Sequence, residues 1–313
     1  MQIRKDLIPY GAALLSMIFW SFSFVWVKIA YLAYQPMTVV VIRLLISSAF
    51  VIGFSVLFRK LQKPTRHDFK LLVVLAFFEP FLYFMGESFG LKFVSSTVAS
   101  VIVATIPLFS PVAAWYFHRE KLTWMNFTGI LISFFGVSMV VLDNSFNLAA
   151  SPKGVILEFL AVFSAVGYSS VLKNLAHRYN TFSIIAYQNL IGIVLFFPFW
   201  LIFESAQFMR TPFHPEAFKA IVLLAIFASS FAFILFTYAV RHLGINSSNI
   251  FTNIIPVFVA IIAFVILGDK LQFHQMAGII VAITGLFLAQ IRKIRKKRVQ
   301  IPTEEEAVEI HIK

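Results

Sequence analysis

The chain contains ten separate hydrophobic stretches, each long enough to form a helix that crosses a lipid bilayer. A helix rises 1.5 Å per residue, so about 20 apolar residues cross the hydrocarbon layer. Backbone groups in hydrocarbon must be hydrogen-bonded within the protein, so each stretch is expected to be helical. The predicted fold class is an all-α polytopic membrane protein of ten transmembrane helices, at residues 10–32, 37–58, 69–91, 95–117, 124–142, 153–174, 181–203, 217–241, 246–267 and 273–291.

The composition excludes several classes of function. Hydrophobic residues make up 60% of the chain and charged residues 13%, against about 45–50% and about 25% in soluble domains. There is no cysteine, which excludes disulfides, thiolate catalysis and cysteine-ligated metals. A Walker loop and an HExxH motif are also missing from the sequence. We therefore expect neither a cofactor nor a metal site, and the short loops leave no room for a soluble catalytic domain.

The net charge of +12 raises the question of nucleic-acid binding, but the basic residues are confined to particular loops and to the C-terminal tail. With the N-terminus inside, the segments predicted outside hold six basic residues, namely Lys28, Lys92, Lys153, Arg210, Lys219 and Lys270. Most of the others fall inside, as the positive-inside rule requires. The sequence thus predicts no nucleic acid, a lipid bilayer as environment, both termini in the cytoplasm and a cytoplasmic tail at residues 292–313.

The chain contains an internal repeat. Pro107 and Pro256 correspond at an offset of 149 residues, as do Gly129 and Gly278. Nearer the start the offset is about 145, which pairs Arg43 with Gln188. The predicted repeats are residues 8–142 and 153–291, with five spans each. An odd number inverts the second repeat in the membrane, and inverted repeats supply two pseudo-symmetric conformations, one open to each side. This organisation predicts a transporter.

These features resemble the ten-span EamA-type branch of the drug/metabolite transporter superfamily. The resemblance is carried by Trp20, Arg43, the Gly90-Leu91 end of the third span, Pro107 with Glu120-Lys121-Leu122, and Pro256 with Asp269-Lys270-Leu271. It covers residues 8–291. The family implies a central cavity lined by spans 1, 3, 4, 6, 8 and 9, and export or exchange of small metabolites, with amino acids as the leading class.

Charged residues within the spans are candidates for function because charge is costly in hydrocarbon. Glu79, Tyr83 and Glu87 follow a spacing of i, i+4, i+8 on one face of the third span. A buried carboxylate favours its protonated form, so Glu79 is a candidate proton carrier. Arg43 lies at a similar depth, where it can pair with either glutamate or bind a substrate carboxylate in a fork geometry. Glu158, near the outer start of span 6, is placed in the same cluster, with a gate or interfacial role as its alternative.

Polar and aromatic residues on other spans extend the predicted site. Asn249 and Asn253 share a helical face with Asn246 and lead to Pro256, and Pro107 and Pro256 are predicted helix breaks that free backbone carbonyls. Trp20 and Ser23 share a face of span 1, and Tyr168 lies on span 6. An aromatic ring with small polar neighbours suits an amphipathic metabolite. The alternative for each is helix packing or interhelical hydrogen bonding.

The leading hypothesis is a secondary transporter of the cell (inner) membrane, either exporter or exchanger, which binds a small-molecule substrate and works as a monomer or homodimer. A second hypothesis is a flippase for a lipid-linked carrier, which needs a cavity whose charge matches a phosphate. Arg43 is the one centrally placed cation in the predicted spans, so this ranks lower. A remote third hypothesis, an intramembrane enzyme, needs catalytic groups converging at one depth, and the protein is therefore predicted not to be an enzyme.

Overall fold

A computed structural model of the chain describes residues 2–110, 124–141, 150–269 and 272–299. The Glu120-Lys121-Leu122 turn, the Lys270-Leu271 pair and the tail beyond Val299 lie outside these residues. The described residues are helical with short connections and contain no β-strand. We name the main helices α1 (Gln2–Ala30), α2 (Pro36–Leu57), α3 (Arg66–Gly90), α4 (Ser96–Ser110), α5 (Trp124–Val141), α6 (Pro152–Ala176), α7 (Thr181–Phe203), α8 (Pro215–Leu243), α9 (Ser247–Leu267) and α10 (Phe273–Val299).

Within the described residues, seven helices are long and apolar enough to cross a membrane, judged by length and composition: α1, α2, α3, α6, α7, α8 and α9. Three shorter apolar helices occupy the remaining predicted positions, at Ser96–Ser110, Phe127–Val140 and Phe273–Gly285. A short helix, Ser205–Arg210, lies between α7 and α8.

Local sequence signals set the ends of the helices. Proline occupies the first turn of α2, α6 and α8, where its missing N–H costs nothing. Side chains of Thr65 and Asn180 accept hydrogen bonds from the first turns of α3 and α7, which satisfies N–H groups that have no partner within the helix. Gly244 and Gly268 end α8 and α9 with positive φ angles of 80° and 71°, a backbone conformation that glycine adopts without strain.

Four helices depart from the continuous α-helices that the sequence predicts, and one of them is α4, whose backbone forms a turn at residues 104–105. A π-helical segment, Phe77–Leu82, interrupts α3, and a second, Leu224–Ala232, interrupts α8. A 3₁₀ segment, Ile250–Ile254, lies within α9. Such segments change which side chains share a face, because the helix turns by a different angle at each residue.

The helices pack in a pattern that brings the N-terminal and C-terminal parts together. The pairs α2 with α7 and α5 with α10 lie side by side, while α1 packs against α8 and α9, and α6 packs against α3 and α4. The contact between α5 and α10 depends on glycine. A Cβ built at Gly136 would clash with the backbone of α10 at Ala282, and one at Gly285 with the backbone of α5 at Ser133. Small residues permit this close approach of two helices.

Candidate functional site

A cavity of about 620 Å³ lies among α1, α2, α3, α4, α6, α8 and α9. Eight of the ten residues predicted to bind substrate line it: Trp20, Ser23, Arg43, Glu79, Tyr83, Glu87, Tyr168 and Asn249. The structure thus gathers side chains that are up to 229 positions apart in the chain. Their part in binding a substrate stays a prediction. The lining helices are those implied by the family resemblance, with the addition of α2 through Arg43.

Arg43 is buried, with 2% of its surface exposed. Its Nε donates a hydrogen bond of 2.9 Å to Ser229 Oγ of α8, and its guanidinium lies 4.1 Å from the centre of the Phe84 ring. The first terminal nitrogen (Nη1) is buried without a hydrogen-bond partner. Among the described residues, no carboxylate lies within the 4.0 Å of a salt bridge to it. The predicted ion pair with Glu79 or Glu87 is therefore not formed in this conformation, and the guanidinium has capacity to bind an anionic group.

Glu79 lies inside the π-helical segment of α3, beside Pro80. Its backbone is extended, with φ −147° and ψ 118°, and the peptide bond to Pro80 is cis. Proline cannot donate a backbone hydrogen bond, which favours an interruption here. Glu79 and Glu87 are 6% and 3% exposed, and Glu87 Oε2 has no hydrogen-bond partner. Both carboxyl groups thus border the cavity, with Tyr83 between them.

Aromatic rings form part of the cavity wall. The Trp20 ring lies 5.1 Å from both Phe233 and Phe236 between centroids, and its Nε1 donates to the carbonyl of Ala228 at 3.2 Å. That carbonyl is in the π-helical segment of α8, where backbone groups are released from the regular ladder. Tyr168 donates its hydroxyl to Gln188 Oε1 at 3.2 Å.

The lining of the cavity by α9 differs in register from the prediction. An α-helical spacing places Asn249 with Asn253, whereas the cavity is lined by Asn249, Thr252 and Ile255. The 3₁₀ segment explains the difference, because residues three apart are eclipsed on such a helix. Asn253 is buried outside the lining, with neither side-chain polar atom hydrogen-bonded. The side chain of Asn246 lies outside the described residues.

Glu158, the other predicted residue outside the lining, is fully buried on α6. Neither of its carboxylate oxygens has a hydrogen-bond partner. Its carboxylate lies against Gly90 at the end of α3, where an added Cβ would be 2.6 Å from Glu158 Oε1. Glu158 therefore does not line the cavity, although its carboxyl group interacts electrostatically with Glu87 of the cluster in which the sequence places it.

The two predicted helix breaks have similar surroundings. In α4 the backbone forms a turn at residues 104–105 and becomes helical again at Ile106, directly before Pro107. In α9 the 3₁₀ segment ends at Ile254, and Pro256 lies in the first turn of the α-helix that follows. Each proline thus begins a helical stretch, and neither lines the cavity.

Several lining residues have no signal in the sequence. They are mostly apolar: Phe24, Phe84, Val103, Ile106, Ala165, Ser169, Phe233, Phe236, Thr252 and Ile255. The chain has 38 phenylalanines, and in helices that are apolar all round no periodicity separates a ring facing the cavity from one facing lipid. Thr252 was detectable only by assuming a 3₁₀ turn in α9.

The arrangement can bind and orient a small molecule. It combines one guanidinium, two carboxyl groups, hydroxyl and amide groups and an aromatic wall, which matches the usual composition of ligand pockets. It lacks, within the described residues, a nucleophile hydrogen-bonded to a base, so it has no arrangement typical of a covalent catalyst.

Comparison with known proteins agrees with a transport role. The sequence profile of the EamA-like transporter family matches residues 7–142 and again residues 152–290. An uncharacterized transporter of Archaeoglobus fulgidus is 27% identical over 281 residues, covering 89% of this chain and 96% of the relative. The uncharacterized transporter YcxC of Bacillus subtilis is 28% identical over 304 residues, covering 95% and 97%.

A probable terminal-alkyne amino-acid exporter of Streptantibioticus cattleyicolor is 24% identical over 288 residues, covering 92% of this chain and 95% of the relative. A solved crystal structure shares the fold, with a TM-score of 0.65 at 17% identity, and the match covers 91% of this chain and 97% of the other. Since the two profile matches together cover nearly the whole chain, this protein is a member of the EamA-like transporter family.

Proposed function

We propose that the protein is a secondary transporter of the cell (inner) membrane that exports or exchanges a small amphipathic metabolite, such as an amino acid. The proposal includes ten spans in two inverted five-helix repeats, cytoplasmic termini, and alternating access around the central cavity. One observation carries it: in a chain of a transporter family, Arg43, Glu79 and Glu87 are buried around one cavity without an ion pair between them.

The positions of the helix ends support the repeat. Pro36 and Thr181 begin α2 and α7 and are 145 residues apart, and Arg66 and Pro215 begin α3 and α8 and are 149 apart. These are the two offsets found in the sequence. The π-helical segments also correspond, since Phe77–Leu82 and Leu224–Ala232 interrupt the third helix of each repeat. Large apolar side chains on the outer surface, such as Val194 and Val265, suit hydrocarbon.

The charges of the cavity favour a zwitterion with an apolar side chain. A guanidinium that has a free donor suits a carboxylate, because it can donate two parallel hydrogen bonds. The carboxyl groups of Glu79 and Glu87 suit an ammonium group, and the rings of Trp20 and Phe233 suit an apolar body. A substrate with both charges leaves the least charge unpaired in a buried site, where unpaired charge is costly.

A set of three matched compounds tests this proposal. Purified protein in proteoliposomes loaded with labelled phenylalanine is challenged with phenylalanine, with phenethylamine, which lacks the carboxylate, and with 3-phenylpropionate, which lacks the ammonium group. We expect exchange with phenylalanine to be at least about tenfold more effective than with either analogue, since one charge-assisted contact contributes about 1.5–3 kcal/mol. Equal exchange with all three compounds, or none across a broader amino-acid panel, would falsify the zwitterion proposal.

Proton coupling through Glu79 is tested separately. Uptake is measured with and without a pH gradient in the wild type and in Glu79→Gln, which keeps the shape of the side chain but cannot exchange a proton. If Glu79 carries the proton, the gradient accelerates the wild type and not the variant. Glu79→Gln transport that is equally fast and equally dependent on the gradient would exclude this role.

A further inference from the structure

Lys28, at the end of α1, makes a contact outside the cavity lining. Its half-buried ammonium group donates hydrogen bonds to the carbonyl of Leu91 and, at 2.7 Å, to the carbonyl of Val94. Both carbonyls lie at the C-terminal end of α3 and in the turn to α4, where the helix dipole favours a cation. The lysine thus ties α1 to the α3–α4 turn at what we propose to be the outer end of the molecule.

Two further hydrogen bonds close the same junction. Tyr31 donates its hydroxyl to the carbonyl of Ser88 at 2.6 Å, and Ser96 donates to the carbonyl of Phe24 at 2.9 Å. Phe24 also lines the cavity, so the junction lies between the cavity and the outer end. Opening a path to the outside there separates α1 from the α3–α4 turn.

Glu158 lies beside this junction and has no hydrogen-bond partner. It is fully buried, both oxygens lack a partner, and its carboxylate packs on Gly90, one residue before Leu91. Lys28 and Glu158 attract each other electrostatically, although among the described residues no carboxylate is within the 4.0 Å of a salt bridge to Lys28. A buried carboxyl group without a hydrogen-bond partner is costly. We therefore expect Glu158 to find a partner in another conformation.

The corresponding position in the second repeat shows that this contact is not a general property of the fold. Lys173 on α6 lies 145 residues after Lys28 and is exposed. Within the part of the chain that the structure describes, no hydrogen bond joins Lys173 to the end of α8. The lysine contact is thus formed at one end of the molecule, as expected if this conformation is closed at the outer end.

We infer that Lys28 and Glu158 form the switch of the outer gate. With the gate closed, Lys28 binds the carbonyls of Leu91 and Val94 and Glu158 is unpaired. When α1 separates from the α3–α4 turn, the ammonium group loses those acceptors and pairs with Glu158. The carboxylate therefore lowers the free energy of the open state, and the two carbonyls lower that of the closed state. This inference rests on the proposed alternating access.

The absence of cysteine from the chain makes the gate measurable, since one introduced cysteine is the single reactive thiol. Ala165 lines the cavity and is 6% exposed, so Ala165→Cys reports access to it. In membrane vesicles of known orientation, a membrane-impermeant maleimide is added on the outer side without any substrate. The rate is compared in otherwise wild-type protein, in Glu158→Gln, and in Glu158→Gln with Lys28→Met added.

The effects of the two substitutions depend on each other, because Lys28 stabilises the closed gate through the two carbonyls and the open gate through Glu158. When Lys28→Met is added to Glu158→Gln, the partner of the open gate is already missing, so only the carbonyl contacts of the closed gate are lost. Labelling from outside then rises relative to Glu158→Gln alone, by about tenfold if one charge-assisted hydrogen bond is lost. Glu158→Gln removes the partner of the open gate, so labelling from outside falls. Labelling from the inner side, measured in inverted vesicles, changes in the reverse sense.

Two controls make the assignment specific. Lys92→Met removes an exposed lysine near the same turn, bonded to Gln35 Oε1, and should leave the rate unchanged. Asp269, which is partly exposed, attracts Lys28 more strongly than Glu158 does in this conformation, so Asp269→Asn tests the competing partner. The inference is wrong if Asp269→Asn reproduces the effect of Glu158→Gln, if Glu158→Gln does not lower outer labelling, or if adding Lys28→Met to Glu158→Gln does not raise it.

The outcome remains decisive if one variant does not reach the membrane. Glu158→Gln alone supports the switch if outer labelling falls and overturns it if labelling is unchanged or rises. Because accessibility is read without substrate, failure of the gate is distinct from failure of the proposed transport. Vesicles that exchange phenylalanine but show no effect of Lys28 or Glu158 would retain the transporter and exclude this gate.

Discussion

The two interrupted helices, α3 and α8, differ in backbone and in chemistry, since α3 is kinked at Glu79, whose backbone is extended, whereas the π-helical segment of α8 contains no such residue. In α3 the π-helical segment carries Glu79 to the cavity, and Pro80 packs on Gly192 of α7, where an added Cβ would clash with the proline ring. In α8 the segment carries no charged group. It supplies instead the hydroxyl of Ser229 that binds Arg43 and the carbonyl of Ala228 that binds Trp20.

The contacts of the two segments with the α2–α7 pair differ in the same way. Pro80 contacts Gly192 of α7 by van der Waals packing, whereas Ser230 of α8 takes part in a chain of hydrogen bonds. Asn189 Nδ2 donates to Ser47 Oγ at 2.8 Å, Ser47 and Ser230 hydroxyls are 2.7 Å apart, and Ser230 donates to the Ala225 carbonyl at 2.8 Å. Helices α2 and α3 therefore present charge to the cavity, and α8 holds Arg43 of α2 in place through Ser229.

The largest effect is expected where the charge asymmetry is removed. Arg43→Gln gives α2 the residue that occupies the corresponding position of α7, Gln188. A buried charge pair that loses one partner costs about 2–5 kcal/mol, so preference for phenylalanine over phenethylamine should disappear in the exchange assay. Lys92→Gln, which removes an exposed cation, is the matched control. Retained preference in Arg43→Gln would show that the guanidinium does not contact the substrate carboxylate.

The packing of Pro80 of α3 against Gly192 of α7 is tested by Gly192→Ala. The new methyl group would overlap Pro80 Cγ and approach Leu44 Cδ1 at 3.3 Å, and overpacking of this kind costs about 1–3 kcal/mol. Thermal unfolding in detergent should show a lower midpoint. Gly53→Ala on α2 is the control, because a Cβ there has no neighbour within 4 Å. Equal midpoints for both variants would mean that α3 does not rely on the fit at Gly192.

The sequence predicts eight of the 18 residues that line the cavity, and the charged ones among them are conspicuous because charge is costly in hydrocarbon. Arg43, Glu79 and Glu87 were identifiable on that ground alone, and Pro80 marks the place where α3 is interrupted. The interruption of α8 had no such marker, since Leu224–Ala232 contains neither proline nor glycine. Ser229 and Ser230 of this segment form hydrogen bonds with Arg43 and Ser47 of α2, and such tertiary contacts leave no local pattern in the sequence.

The errors in register have the same origin. Asn253 was grouped with Asn249 on the assumption of a continuous α-helix, and the 3₁₀ segment of α9 brings Thr252 into the lining instead. Glu158, which its depth places with Glu87, interacts electrostatically with it but does not line the cavity, because depth in a membrane does not define which side of a helix faces the cavity. The aromatic wall of Phe233 and Phe236 was undetectable among many lipid-facing rings.

The hydrogen-bond chain of α8 is tested by Ser47→Ala. The substitution leaves Asn189 Nδ2 and the Ser230 hydroxyl each without one partner, and an unsatisfied buried group costs about 1–3 kcal/mol. Because water can form hydrogen bonds with some of these groups, we expect the free energy of unfolding to decrease by about 1 kcal/mol. Ser55→Ala is the control, since the Ser55 hydroxyl bonds only to Val51 of its own helix, at 2.6 Å. A drop of equal size in both variants would argue against a role for the chain.

The smallest effect is expected for Ser229→Ala, which removes the hydroxyl that accepts from Arg43 Nε. The guanidinium keeps its charge and its contact with the Phe84 ring, so it remains able to bind a carboxylate but is less well oriented. We expect the concentration of phenylalanine for half-maximal exchange to rise about threefold to fivefold, in line with loss of one hydrogen bond, while the unfolding midpoint is unchanged. Ser229→Thr restores the hydroxyl and should restore affinity. If Ser229→Ala instead lowers stability and leaves affinity unaltered, α8 supports the fold at this point and does not position Arg43, and the contrast between the two interrupted helices is then limited to the carboxyl group that α3 carries.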